Sequence, residues 1–145
     1  MKPLYLLVLT VFLPLTAMSQ DAVPLRSMDA AGVTMAEFIW LKRPVLVFAD
    51  SPNDPNFLRQ MHLLAANPDA LAERDVVVIT DTNPTGASFF RQKFRPRGFS
   101  LVLLDKDGEA KLRKPLPWDV REITRAIDKF PLARQEMLER YPSGR

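Results

Sequence analysis

The sequence contains no cysteine, and only one of its 145 residues is a histidine. Disulfide exchange and thiol peroxidation need a thiolate as the nucleophile, so this chain cannot be a thiol–disulfide oxidoreductase or a thiol peroxidase. A zinc site needs several nitrogen or sulfur ligands, which His62 alone cannot provide. The Gly-x-Ser-x-Gly turn of serine hydrolases is absent as well. We therefore expect no metal and no other cofactor, and no set of catalytic residues is recognisable.

The sequence also has little excess charge of either sign. It holds 20 lysines and arginines against 17 aspartates and glutamates, a formal net charge of +3. Dedicated nucleic-acid-binding domains carry a larger and more clustered basic excess, so we expect no nucleic-acid partner. Apolar residues make up 47% of the chain, which is enough for the core of one globular domain.

No apolar stretch has the roughly 20 uninterrupted residues that a membrane-spanning helix needs. The longest such stretch lies near the amino terminus and contains Pro14. It follows a lysine and precedes the small residues Ala17 and Ser19, at the spacing of a signal peptidase site. Residues 1–19 are therefore predicted to be a signal peptide. We expect the protein to be exported, either periplasmic or secreted, with no membrane span after cleavage.

The rest of the chain is predicted to be a loose lead-in over residues 20–33 and one domain over residues 34–141. Strand-like apolar runs alternate with segments that have helical spacing, in the order β-α-β-α-β-β-α. Helical crossovers make the strands that they join parallel, and a hairpin makes the last pair antiparallel. The order is thioredoxin-like, an α/β fold with a four-stranded mixed sheet and helices on both faces. The predicted strands are Pro44–Ala49, Val76–Ile79, Phe99–Leu104 and Ala110–Arg113.

Short local signals place two helix starts and one turn. Asp54, which precedes a proline, is typical of an N-cap followed by a first-turn proline. A capping box that begins at Thr34 predicts a short helix over residues 34–41. The pair Asp107 and Gly108 predicts a two-residue hairpin turn between the last two strands.

Four stretches together carry a family resemblance: Arg43–Ala49, Glu73–Val78, Lys106–Arg113 and Ile127–Met137. They resemble a bacterial family known as domain of unknown function 4174, over about residues 36–138. Members of that family are thioredoxin-like and are related to a domain of secreted animal matrix proteins. The resemblance therefore implies a thioredoxin-like fold and export, and it implies no defined activity. Phe130 and Ala133 stand where Met and Arg are usual in the family.

The resemblance to thioredoxins also shows which positions of this chain lack the residues of a thioredoxin's redox site. The loop that follows Phe48 falls where the redox loop of a thioredoxin stands, and Pro52 and Pro55 occupy roughly the two cysteine positions. Ser100 stands at about the position of the proline that is normally cis. Neither proline nor serine can supply a thiolate, so the site cannot perform a thioredoxin's chemistry.

The same loop supplies the first candidate binding residues, Asp50, Asn53 and Asp54. Ligands of open α/β folds often bind at the carboxyl ends of the strands. The carboxylates of Asp50 and Asp54 could also act with Arg95 in a non-thiol enzyme. In the alternative interpretation, Asp54 caps a helix and Asp50 forms a turn.

A second candidate is a basic patch formed by Arg95, Arg97, Lys111 and Arg113. If these side chains face the same way, they could bind a phosphate, an acidic glycan or an acidic protein surface. The alternative is a solvated face with local ion pairs.

The end of the chain is interpreted as structural. Asp128, Arg134 and Glu136 lie on the two sides of Pro131, which ends one helix and starts another. An arginine–carboxylate pair among them would hold the two helices together.

Three hypotheses for function remain open. The first is a non-catalytic binding or interaction module without thiol redox activity, and the second is a binder of anions or acidic glycans through the basic patch. The third is a non-thiol enzyme that uses the loop carboxylates. The expected partner is an unknown protein or an acidic ligand.

Overall fold

A computed structural model describes residues 24–142 of the chain. The predicted signal peptide, residues 1–19, lies outside this range, as does the start of the predicted lead-in. The strands are β1 (Ser27–Asp29), β2 (Arg43–Phe48), β3 (Val76–Asp81), β4 (Ser100–Leu104) and β5 (Ala110–Lys114). The helices are α1 (Pro55–Ala65), α2 (Pro68–Ala72), α3 (Phe89–Phe94), α4 (Val120–Ile127) and α5 (Pro131–Arg140), with single 3-10 turns at Met35–Glu37 and Pro84–Gly86.

The strands form one mixed sheet in the order β1-β3-β2-β4-β5. Strand β3 pairs in parallel with both β1 and β2. Strand β4 is antiparallel to β2, and β5 is antiparallel to β4. The crossover through α1 and α2 makes β2 and β3 parallel, and the short β4–β5 connection makes that pair antiparallel. The thioredoxin-like α/β architecture predicted from the sequence is confirmed.

The predicted strand count was one too low, because the structure has five strands instead of four. The additional strand, Ser27–Asp29, lies within the segment that was predicted to be a loose lead-in. All three of its residues are exposed, so they show no alternation of apolar and polar side chains. The strand forms by pairing with the edge of β3, from Ser27↔Val78 to Asp29↔Thr80.

The core consists of two apolar layers, one on each face of the sheet. Alternate residues of β2 divide between them, because successive side chains of a strand point to opposite faces. Val45 and Val47 pack in the layer that also contains residues of α1, α2 and α4. Leu46 and Phe48 pack in the layer that contains Phe90 of α3 and the turn at Met35–Glu37. Helical segments therefore cover both faces, and the ends of the strands are left for polar residues.

Two local predictions were wrong in their extent. The helix predicted over residues 34–41 is only the 3-10 turn Met35–Glu37. Trp40 has a left-handed backbone, with φ of 66°, and its N–H donates to the carbonyl of Lys106 at 2.7 Å. The predicted β4–β5 hairpin is confirmed, but its connection comprises residues 105–109 instead of two residues.

Candidate functional site

Two groups of basic residues lie at opposite ends of the sheet. One end, where β2 and β3 terminate and β4 begins, carries a cavity lined by arginines. We call this cavity of about 420 Å³ the arginine cavity. It is lined by Arg95, Arg97, Phe99, Ser100, Arg113 and Pro115.

The local backbone brings two of these arginines to the cavity from one short segment. Helix α3 ends at Phe94, and Arg95 follows in the left-handed conformation, with φ of 46°. Its N–H donates to the carbonyl of Arg91 at 2.9 Å, which closes the last turn of the helix. The chain therefore turns sharply at Arg95, and Arg97 follows two residues later on the path to β4.

The third arginine comes from the neighbouring strand. Arg113 lies on β5 opposite Val102 of β4. Its Nη2 donates to the carbonyl of Phe94 at 2.6 Å, so it satisfies a carbonyl at the end of α3 and is held toward the cavity. This hydrogen bond joins β5 to the segment that carries the other two arginines.

The arginine cavity is basic and has no balancing carboxylate. No aspartate or glutamate lines it, and within residues 24–142 none of its three arginines forms an ion pair. All three are exposed, and a guanidinium stays charged at any ordinary pH. The cavity therefore has a positive potential that favours an anionic ligand.

Lys111 does not belong to this group, although the sequence placed it in the same basic patch. Its Nζ lies 3.2 Å from Asp107 Oδ2 and 3.4 Å from Glu109 Oε2. The hydrogen bond that Lys111 donates to Asp107 is the main reason that the pKa of Lys111 is raised. Three of the four predicted basic residues converge, and the fourth neutralises carboxylates of the hairpin.

Helix α3 is anchored to the sheet by a buried ion pair that sequence reasoning missed. Arg91 Nη2 donates to Asp81 Oδ1 at 3.0 Å and to the carbonyl of Ala49 at 2.9 Å. The guanidinium lies over the ring of Phe48, 5.6 Å from its centre. Burial alone would raise the pKa of Asp81, but hydrogen bonds from Arg91, Ser88 and a backbone N–H lower it below its usual value. The only signal in the sequence is the position of Arg91 directly beside the buried Phe90.

The loop after β2 does not contribute to the arginine cavity. Asp54 Oδ1 accepts from the N–H groups of Asn56 and Phe57, at 2.8 and 3.1 Å, so it is the predicted cap of α1. The N–H of Asn53 donates to Ser51 Oγ at 3.1 Å, and Asp50 is exposed. None of the three candidate residues Asp50, Asn53 and Asp54 lines the cavity.

The opposite end of the sheet carries a group of paired charges, which we call the paired end. At its centre is Arg43, which is only 1% exposed and begins β2, although the sequence suggested that the strand starts one residue later. Its Nε donates to the fully buried Asp105 at 3.0 Å, and its Nη1 donates to Glu136 Oε2 at 3.2 Å. Nη2 lies 3.1 Å from Glu136 Oε1 as an ion pair without hydrogen-bond geometry.

Further pairs complete the paired end. Lys106 Nζ lies 2.7 Å from Asp75 Oδ2 and 2.8 Å from Glu136 Oε1. Burial would raise the pKa values of Asp75 and Glu136, but Lys106 and Arg43 lower both below their usual values. Arg74 donates to both carboxylate oxygens of Asp128, at 2.7 and 3.0 Å.

The pairing at the end of the chain differs from the one expected. Glu136 and Asp128 pair with Arg43, Lys106 and Arg74, which lie within or next to strands. Arg134 is exposed and makes no ion pair within residues 24–142. Helix α5 is therefore fastened to the sheet instead of to α4, and Pro131 is its first residue.

Gly108 and Asp107 have the structural roles expected of a turn. Gly108 has φ of 79°, and a Cβ there would lie 3.2 Å from Met35 Cγ. Asp107 Oδ1 accepts from the N–H of Glu109 at 3.0 Å. The glycine is needed both for the backbone conformation and for the close approach of Met35.

His62 is exposed, and residues 24–142 contain no cluster of three or more His, Asp or Glu side chains arranged to hold a metal. No helix in that range is both long and apolar enough to cross a membrane.

Comparison with solved structures shows the fold to which the chain is similar. The chain is similar to thioredoxin NaTrxh from Nicotiana alata, with a TM-score of 0.55 and 18% identity over 75% of this chain and 96% of that chain. It is similar to reduced desulfothioredoxin from Desulfovibrio vulgaris Hildenborough, with a TM-score of 0.53 and 15% identity over 74% and 100%. It is also similar to the reduced 2-Cys peroxiredoxin of Plasmodium vivax, with a TM-score of 0.53 and 16% identity over 72% and 85%. At these identities the likeness shows the thioredoxin fold alone.

The match to a sequence family is more specific than the likeness in fold. The sequence model of the family described as Domain of unknown function (DUF4174) matches residues 34–136, and the chain belongs to this family. The match confirms the resemblance inferred from the sequence motifs. A comparison with curated proteins found no match.

Proposed function

We propose that this protein is an exported, non-catalytic binding domain that uses a cysteine-free thioredoxin fold to bind an anionic ligand. The observation that supports this function is the arginine cavity, in which Arg95, Arg97 and Arg113 converge without a carboxylate partner. Export rests on the signal-peptide pattern of residues 1–19.

The chemistry of the arginine cavity favours a multiply charged oxyanion. A guanidinium presents several N–H donors in a rigid fork that matches the oxygens of phosphate, sulfate or carboxylate groups. Three guanidinium groups around one cavity of about 420 Å³ can contact one such group from several sides or two groups spaced along a polymer. Inorganic phosphate, phosphate esters and acidic glycans therefore share the chemistry that this cavity recognises.

The same cavity lacks what a catalyst would need. General acid–base chemistry requires a group such as His, Asp or Glu within hydrogen-bonding reach of the reacting atoms. No such side chain lines the cavity, and its single hydroxyl, that of Ser100, belongs to a buried residue. With no cysteine in the chain, binding is the activity best supported by these residues.

The test is a thermal-shift titration of the purified protein. The ligands are inorganic phosphate, a sulfated polysaccharide and a carboxylated polysaccharide, with an uncharged polysaccharide as the reference. A ligand that binds only the folded state adds about 2.7 kcal/mol of stability at 100 times its Kd. We expect a saturable rise in Tm that weakens as salt is added, because exposed charges are screened.

A matched pair of triple variants makes the test specific to the site. Arg95→Gln, Arg97→Gln and Arg113→Gln together should abolish the shift. The control replaces Arg59, Arg121 and Arg125 with glutamine, because these residues are also exposed and unpaired in the described chain but do not line the cavity. Equal loss of binding in both variants would indicate a general charge effect. No shift with any anion would overturn the proposed function and direct the search to a protein partner.

A further inference from the structure

Trp40 has an unfavourable backbone conformation, and burial of its side chain does not compensate for it. Its φ of 66° lies in the left-handed region, which is unfavourable for residues other than glycine. A bulky residue there is an outlier. In this conformation the N–H of Trp40 donates to the carbonyl of Lys106 at 2.7 Å. The side chain is 65% exposed, so its burial does not offset this cost.

The indole lines a second cavity, of about 300 Å³, which we call the tryptophan cavity. The cavity lies between Trp40 and one side of α5. It is lined by Trp40, Lys106, Leu132, Gln135, Glu136 and Glu139. An aromatic ring and an aliphatic side chain therefore share one small cavity with two carboxylates.

The charges of the tryptophan cavity are unbalanced toward the negative side. Lys106 is already paired with Asp75 and Glu136. Glu139 makes no ion pair within the described residues, and its Oε1 accepts only from Gln135 Nε2, at 3.0 Å. The cavity thus combines an exposed aromatic ring with a carboxylate that has no cation.

An aromatic ring and a free carboxylate are together suited to an organic cation. A lysine or arginine group is attracted to the face of an indole, and the carboxylate adds a charge-assisted hydrogen bond. The apolar residues that flank Trp40 are also exposed, with Ile39 at 36% and Leu41 at 65%. A free amine could not use these exposed apolar side chains, whereas a polypeptide could pack its own apolar residues against them.

We propose that the tryptophan cavity binds a lysine or arginine side chain of a partner polypeptide, with Ile39 and Leu41 contacting apolar residues beside it. The ring of Trp40 stacks on the cation, and Glu139 neutralises it. This site is separate from the arginine cavity and takes a ligand of opposite charge. Either proposal can fail without the other.

The fluorescence of Trp40 provides the measurement. The chain has two tryptophans, so Trp118→Phe leaves the indole of Trp40 as the only one. The probes are the blocked tripeptides Leu-Lys-Leu and Leu-Arg-Leu, with norleucine in place of lysine as the neutral control. We expect a saturable change in emission with both basic peptides and none with the neutral peptide.

Two variants then test the assigned residues by calorimetry with the same peptides. Glu139→Gln should weaken binding about 5–10-fold, as expected for loss of about 1–1.4 kcal/mol from one partly exposed charge pair. Glu73→Gln removes an exposed carboxylate that does not line this cavity and should leave affinity unchanged. Trp40→Gly should abolish binding while preserving the fold, because glycine accepts the left-handed backbone. Trp40→Asn serves the same purpose if the glycine variant unfolds.

Several results would overturn this assignment. Equal binding of the norleucine peptide would show an apolar groove without cation recognition. Binding of tetramethylammonium as tight as that of the basic peptides would show a site for free organic cations. Absence of any response in the native chain, measured by calorimetry in case Trp118→Phe disturbs the fold, would show that the cavity does not bind basic peptides.

Discussion

The paired end and the arginine cavity use the same side chain, arginine, in opposite ways. At the paired end, Arg43 is buried and contacts Asp105 and Glu136. At the other end, the arginines of the arginine cavity are exposed and have no carboxylate partner within the described chain. The difference is one of solvation, since a charge removed from water must be paired and an exposed charge need not be.

This contrast separates structural charges from available ones. The paired end contains enough carboxylates to neutralise its cations, so it offers little net attraction to a ligand. The arginine cavity has uncompensated charge in a concave site, where it can attract an anion. Substitutions at the paired end should therefore act on stability, and substitutions in the arginine cavity should act on binding.

The largest effect is expected when the centre of the paired end is removed. Arg43→Met leaves Asp105 as a fully buried carboxylate without its cation, and breaking a buried ion pair typically costs about 3–5 kcal/mol. Urea unfolding should show this loss as a lower midpoint with an unchanged slope. The contrast between the two ends would be broken if the variant lost less than about 1 kcal/mol, the scale of an exposed ion pair.

A double variant separates the value of the pair from the cost of breaking it. Arg43→Met combined with Asp105→Leu leaves no unpaired charge at the centre of the pair, so much of the lost stability should return. Recovery will be incomplete, because Asp105 also accepts from the N–H groups of Lys106 and Leu132. A double variant less stable than Arg43→Met would mean that these backbone contacts outweigh the ion pair.

The fold was predictable because its signals are local and repeated along the chain. The buried runs of β2, β3 and β4, the cap at Asp54 and the β4–β5 hairpin were all recognised from the sequence. Strand β1 was missed because its formation depends on pairing with β3, which is about 50 residues away in sequence. The helix over residues 34–41 was overestimated because the Trp40–Lys106 hydrogen bond is also non-local.

The candidate site was predictable only in its charges. Arg95, Arg97 and Arg113 were proposed as one patch, and the antiparallel hairpin brings them together. The charge pattern allowed both interpretations of Lys111 and could not decide in favour of its local ion pairs with Asp107 and Glu109. It also could not show that Arg43 is buried, because an arginine directly before an apolar run resembles an exposed strand boundary.

Acid should destabilise the protein through paired carboxylates at both ends of the sheet, with a smaller effect than loss of Arg43. The pKa values of Asp75 and Glu136 are lowered in the folded protein. As pH falls, these carboxylates therefore bind protons at a higher pH in the unfolded chain than in the folded one. Their contribution to stability is therefore complete above their usual pKa values of about 4 and is lost as pH falls through the lower, folded values. Asp81 behaves in the same way at the other end.

The pH dependence can be assigned with two variants and urea unfolding between pH 7 and pH 3. Glu136→Gln should be less stable at pH 7 and should lose less stability on acidification, because it removes one of the groups that titrate. The triple glutamine variant of the arginine cavity should keep the native pH profile, since its arginines pair with no carboxylate. An unchanged profile in Glu136→Gln would contradict the role given to that residue.

The smallest effect on stability is expected at Arg95, an exposed arginine of the arginine cavity that makes no ion pair within the described residues. Arg95 has a left-handed backbone with φ of 46°, which glycine adopts without the cost of a Cβ. Arg95→Gly should therefore leave the free energy of unfolding unchanged or raise it by up to about 1 kcal/mol. Because the guanidinium is lost, the same variant should weaken the anion-induced thermal shift.

Arg121→Gly serves as the control at an exposed helical position, where glycine should cost about 1 kcal/mol and leave anion binding intact. If Arg95→Gly were as destabilising as Arg43→Met, Arg95 would be a structural arginine like those of the paired end. That result would contradict the assignment of the arginine cavity as a binding site.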